Sequence, residues 1–112
     1  MTPHSALLAV DCLWRIIADG RISLTVRDHC QQFGPPEAVD AHAEALALLD
    51  GRRITSAMTS EAVGDFTFEC EGQRRLALVN DSSGYEPWNL TAPGVHLIAM
   101  GGGGISDFSP KA

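Results

Sequence analysis

The sequence predicts an α+β fold, a curved antiparallel β-sheet with one main α-helix packed on it. Three features point there. Stretches of strict apolar and polar alternation recur along the chain, one alanine- and leucine-rich run with helix signals interrupts them, and 112 residues suffice for one core but not two. The expected organisation is a single domain over residues 1–112, with a β-hairpin over 12–28, a helix over 36–50, antiparallel strands over 52–104 and a polar tail over 105–112.

The hairpin rests on a repeated shape. "RIIADGRISLTVRD", Arg15 to Asp28, and "RITSAMTSEAVGDFTFECEG", Arg53 to Gly72, both start Arg-Ile, pass a glycine and then alternate. Ile22, Leu24 and Val26 carry the alternation in the first copy, and Phe66, Phe68 and Cys70 in the second. Asp19 and Gly20 sit where a two-residue hairpin turn belongs, whereas the second copy has a longer loop, Ser60 to Gly64. A competing helix over Ser5 to Ala18 stays open, because Asp11, Arg15 and Asp19 recur every four residues and Gly20 follows as a stop. Ile16, Ile17, Thr25 and Val26 favour the strands.

"PPEAVDAHAEALALLDG", Pro35 to Gly51, is the clearest helix: proline opens it, Glu37 and Asp40 occupy the first turn, and Gly51 ends it. Val39, Ala43, Leu46 and Leu49 form the stripe expected to face the sheet. Strands then follow near Arg53 to Thr59, Asp65 to Cys70, Arg74 to Asn80 and Val95 to Met100. Between the last two, Asp81 to Gly84 form a turn, and Tyr85, Trp88 and Leu90 lie on an edge strand or a loop along the sheet, since Pro87 lacks the donor a central strand needs.

Composition excludes several functions. The net charge is −6, and the only lysine is Lys111, so no basic face is available for nucleic acid. That balance suits either solubility or a basic protein partner. Cys12, Cys30 and Cys70 have no metal or disulfide spacing and read as buried, reduced thiols of a cytoplasmic protein. Asp11 interrupts the apolar run Ala6 to Val10, which excludes a signal peptide or a membrane span there.

No residue pattern names a reaction. His4, His29, His42 and His96 are scattered, so no metal and no cofactor is expected. Ser82 and Ser83 lack a nucleophile elbow, and nothing beyond residue type joins Cys30 to His96. Gly101 to Gly104 lack the Gly-Lys-Ser/Thr of a phosphate loop and fit a sharp bend or a close backbone approach. Enzymatic activity therefore finds no support in these residues, and a non-enzymatic binding protein is the leading expectation.

Binding residues are more legible. Glu61, Asp65, Glu69 and Glu71 form the densest acidic set, with Glu69 on the outward face of its strand. Tyr85, Glu86 and Trp88 combine two aromatic anchors with a charge, a combination that serves either the core and its turn or an interface. The expected contact surface joins Tyr85, Glu86 and Trp88 with Glu69 and Glu71. Two further possibilities remain: a homodimer formed through a free sheet edge, and a small-ligand pocket between helix and sheet near His42 and Tyr85.

From Gly51 to Gly104, "GDFTFECEGQRRLALVNDSSGYEPWNL" and the later "GGGG" resemble a family of small uncharacterised bacterial proteins with a Tyr-Glu-x-Trp motif and a Gly-rich C-terminal end. The matching positions are Phe68, Leu76, Leu78, Tyr85, Glu86, Trp88 and Gly102 to Gly104, and Pro87 departs from the small or polar residue usual there. The resemblance implies a bacterial cytoplasmic protein, of the immunity or accessory kind found in toxin and competition systems. It brings no catalytic residues. The partner it implies is a basic protein such as a toxin.

Overall fold

The computed structural model describes residues 7–34 and 37–110. Pro35 as the helix opener, His4, Lys111 and the beginning of the competing helix at Ser5 lie outside the described residues. The fold is mixed α+β, and its strands form two antiparallel sheets where one curved sheet was expected.

Among the described residues nine strands and one α-helix follow in order: β1 (Leu7–Val10), β2 (Leu13–Ala18), β3 (Arg21–Thr25), α1 (Ala41–Leu49), β4 (Ile54–Ser60), β5 (Asp65–Cys70), β6 (Arg74–Val79), β7 (Trp88–Ala92), β8 (Val95–Ala99) and β9 (Ile105–Asp107). A single 3₁₀ turn, Val26–Asp28, follows β3. One sheet has the order β1-β7-β8-β9 and the other β3-β2-β6-β5-β4. Among the described residues no helix is long and apolar enough to cross a membrane.

The chain divides into two compact units. Of the described residues, the first comprises 7–12, 59–65 and 78–110, and the second 13–34, 37–58 and 66–77.

In the first unit β7 is central, with β1 on one side and β8 on the other; Trp88 lies opposite Val10, and Asn89 opposite both Ala9 and Ile98. The edge placement expected from Pro87 is thus corrected. Pro87 stands one residue before the strand, so its missing N–H costs the ladder nothing, while its carbonyl accepts a bond from Asp11 N at 2.8 Å. Ile105–Asp107, expected within a polar tail, pairs with β8 instead. Trp88, Leu78 and Ala99 supply the apolar interior of this unit.

In the second unit β2 and β3 pair across Asp19 and Gly20, which excludes the helical alternative for the described part of Ser5 to Ala18. Both turn residues have positive φ, 53° and 81°, the pattern of the two-residue turn whose twist matches the strands. Trp14, Ile16, Leu24, Phe66 and Phe68 are buried, and the two phenylalanine rings stack at 4.1 Å, as same-face neighbours on a strand can.

The helix is shorter than the 36–50 expected and differently phased. Asp40 caps it by accepting from Ala43 N at 3.1 Å. The residues just before it are extended: Val39 N donates to Gln31 O at 2.7 Å, and Cys30 N donates to Val39 O at 2.8 Å. The late start turns Ala41, Ala45 and Leu48 inward and leaves Ala43 and Leu46 exposed, so the stripe through Val39, Ala43, Leu46 and Leu49 is not the packed one. His29 Nδ1 accepts the Ala41 N–H at 3.1 Å, satisfying one of the donors that a helix start leaves unpaired.

Candidate functional site

Three loops of the first unit meet: residues 60–64, 80–87 and 100–104. Asn80, just after β6, holds them together. Its side-chain amide donates to Val63 O at 3.0 Å and to Met100 O at 3.2 Å, and its side-chain oxygen accepts from Ser82 N at 3.1 Å. The Asn80 backbone N–H donates to Asp65 Oδ1 at 2.9 Å. One side chain thereby satisfies backbone groups on all three loops.

Glycine supplies the closeness this requires. A Cβ on Gly101 would stand 2.4 Å from the Gly84 carbonyl carbon, and one on Gly103, whose φ is +124°, would stand 2.2 Å from Ala62 O. Backbone bonds complete the join: Gly102 N donates to Ser82 O at 2.9 Å, and Gly104 N to Glu61 O at 2.7 Å. The run Gly101 to Gly104 is a packing device between backbones.

Beneath these loops lies Trp88. Its side chain is 1% exposed, and Nε1 donates to Gly64 O at 2.8 Å. A buried indole needs such a partner, and this one ties β7 to the 60–64 loop. Above it the chain turns outward. Ser82 Oγ accepts from Gly84 N at 3.1 Å and Tyr85 N at 2.9 Å, and the Tyr85 side chain emerges 78% exposed beside an exposed Glu86.

The charge around this frame is one-sided. Asp11, Glu61, Asp65, Asp81, Glu86 and Asp107 belong to the first unit, and none of its described residues is a lysine or arginine. All the arginines are in the second unit, where eight carboxylates nearly balance them. Cys12 reports on the field. Its thiol is pushed up from the ordinary 9.0 to about 11, first by burial and then by the negative charge of Asp81, with Asp11 and Asp65 adding to it against a lowering backbone bond at Val79.

That shift makes Cys12 a poor nucleophile. A thiol reagent at mildly alkaline pH is expected to label Cys30, which is exposed, ahead of Cys12 and Cys70, both half-buried, and mass spectrometry of the labelled peptides checks the order. The sequence reading of three buried thiols is therefore corrected at Cys30, which sits in a turn with φ 66°. Cys70 is also raised, by burial. Because the Cys12 value is higher in the folded chain, stability is retained below pH 9 and falls as pH rises from 9 toward about 11. Cys12→Ala is expected to flatten that decline in a pH series of chemical denaturation.

The expected contact residues are divided between the units. Tyr85, Glu86 and Trp88 belong to the first, and Glu69 and Glu71 to the second. Trp88 is interior, so it frames the surface and does not form it. Glu69 is engaged by Arg75, whose Nε donates to Glu69 Oε1 at 3.1 Å, and Glu71 Oε1 accepts from Arg53 N at 3.0 Å. Both acids thus have local partners. Likewise His42 packs beside His29 in the second unit, with ring centroids 5.5 Å apart, while Tyr85 belongs to the first.

The described residues of the second unit line open clefts. One of about 320 Å³ is lined by Ile17, Glu69, Cys70, Arg74 and Arg75, and another, about 300 Å³, by Ser23, Leu24, Glu44, Ala47 and Leu48. Among the described residues no three His, Cys, Asp or Glu side chains are grouped to hold a metal ion.

Sequence reasoning ended a strand at Asn80 and placed Ser82 in the turn that follows, but missed the side-chain bonds by which the two shape the loop end. The available signal was an asparagine ending a strand directly before Asp-Ser-Ser-Gly, a composition whose short side chains bond nearby backbone. The charge division was equally visible as residue types, but it has meaning only once the chain is partitioned.

Compared with family models, curated proteins and solved structures, the chain matches none.

Proposed function

We propose that the chain is a non-enzymatic protein-binding module that takes a basic protein partner on the loop end of its first unit. Tyr85 and Glu86 are the central contacts, and Asp11, Glu61 and Asp81 supply the surrounding field. The single observation that carries this reading is the one-sided charge: exposed carboxylates beside an exposed tyrosine, with no lysine or arginine among the described residues of that unit. Such a surface repels itself when free and is relieved by a cationic partner, which raises both the association rate and the selectivity. A tyrosine ring held by a rigid turn adds contact area at little entropic cost.

An immunity or accessory protein of a bacterial toxin system, acting in the cytoplasm on a basic toxin, is the specific form of this proposal. The Tyr-Glu-x-Trp resemblance and the acidic loop end support it. In this reading Trp88 stabilises the unit from its interior.

Tagged wild type, Tyr85→Ala and Glu86→Lys proteins are to be compared in capture from bacterial lysate, followed by binding measurements with the purified captured protein. Tyr85→Ala is expected to weaken binding by about 2 kcal/mol or more, the scale of an interface anchor. Glu86→Lys is expected to slow association, and raised salt to mimic it. Equal binding by all three, independent of salt, would refute the proposal.

A further inference from the structure

We infer that β4 is a self-pairing edge: two copies of the chain join their Ile54–Ser60 strands antiparallel, about a two-fold axis at Ala57. The strand ends the five-stranded order, with β5 as its one neighbour. All seven of its residues are exposed, including Ile54 at 54% and Met58 at 75%. Within Ile-Thr-Ser-Ala-Met-Thr-Ser there is no charge and no proline, devices by which proteins ordinarily protect an edge from pairing. The other edges are less inviting. On β3 the helix α1 packs, and β1 and β9 are short, at four and three residues.

The flanking charges identify the occupant as a second copy. Arg53 precedes β4 and Glu61 follows it. Antiparallel pairing about Ala57 places Arg53 of each copy opposite Glu61 of the other, so opposite charges meet at both ends. Parallel self-pairing would oppose Arg53 to Arg53 and Glu61 to Glu61. In the antiparallel register Thr55 faces Thr59, Ser56 faces Met58 and Ile54 faces Ser60, so no like charges meet. By the two-residue period of a strand, Ile54 and Met58 of both copies fall on one face, where they can cover each other. The arrangement is isologous, as a closed dimer requires. Of the residues assigned to partner binding it shares Glu61 alone, and the Met58→Lys and Ala57→Cys tests leave Tyr85 and Glu86 untouched, so either proposal can fail alone.

Sedimentation velocity across the micromolar range tests it. The wild type is expected to be a concentration-dependent dimer, and Met58→Lys to raise the dimer Kd roughly tenfold or more by setting like charges close together on the paired edge. Since Met58 is exposed, an unchanged circular dichroism spectrum, with an unchanged thermal midpoint at dilutions where both proteins are monomeric, serves as the folding control. Arg53→Glu alone is expected to weaken the dimer, and adding Glu61→Arg in the same chain to restore it. In a Cys30→Ser background, Ala57→Cys is expected to form a disulfide-linked dimer on mild oxidation, because that position alone faces itself, whereas Thr59→Cys is not. A wild type that stays monomeric would overturn the inference. A dimer indifferent to Met58→Lys, or one cross-linked equally well at position 59, would overturn it too.

Discussion

Replacing Trp88 with alanine is expected to lower the unfolding free energy by about 3–5 kcal/mol, the range for removing a large buried aromatic. The indole is 1% exposed and its Nε1–H is satisfied by Gly64 O at 2.8 Å. Alanine leaves both a cavity and an unpaired carbonyl at the joint between β7 and the 60–64 loop. Trp88→Phe separates the two contributions: it keeps most of the ring volume and loses only the bond, for an expected cost of about 1–3 kcal/mol. Urea denaturation followed by far-ultraviolet circular dichroism reads both values. If Trp88→Ala instead cost no more than a surface substitution, the indole would not be the interior anchor of this unit.

The second large effect is expected at Gly103. A methyl group there would meet Ala62 O at 2.2 Å, and a carbonyl oxygen in a packed loop cannot swing aside as a flexible side chain can. Overpacking of this kind costs about 1–3 kcal/mol. The φ of +124° adds strain of about the same size for any residue with a Cβ. Gly104→Ala is the internal comparison: its φ is also positive, at +87°, but nothing lies within 4 Å of the added methyl. Gly103→Ala is therefore expected to be the more damaging, and to displace the loop that Gly104 N bonds to at Glu61. Thermal midpoints of the two variants, measured side by side, check the ranking.

Both predictions concern residues whose type was conspicuous in the sequence and whose role was not. Strand alternation made the turn at Asp19 and Gly20 readable, because two-residue hairpins demand positive φ and few residues supply it. The inward pair Phe66 and Phe68 was readable for the same periodic reason. The start of α1 was not. Glu37 to Val39 have the composition of a first helical turn, but Val39 exchanges backbone bonds with Gln31 and Cys30, so a long-range pairing outweighs local propensity there. Periodicity also cannot say which strand neighbours which. β1 is a four-residue strand, and its pairing with β7 divided the strands between two sheets.

The candidate site was legible in part. Tyr85 and Glu86 were singled out and are exposed, whereas Trp88, two positions beyond Glu86, is interior. A tryptophan beside a tyrosine reads equally well as anchor or core, and only its burial and the Gly64 bond separate the two. Glu69 and Glu71 formed a dense acidic run in one dimension; in three, an arginine and a backbone N–H occupy them. Asn80 was read only as the end of a strand, because a single asparagine has no periodic signature and its effect depends on carbonyls at residues 63 and 100.

The loop end of the first unit is tested by comparing binding of a captured basic partner by Tyr85→Ala and by Trp88→Phe, both first shown to be folded. Tyr85→Ala is expected to keep its stability and lose the partner, while Trp88→Phe is expected to lose stability and, once folded, to bind like the wild type. Retention of full affinity by Tyr85→Ala would contradict this expectation, and would remove the loop end of the first unit as the binding surface.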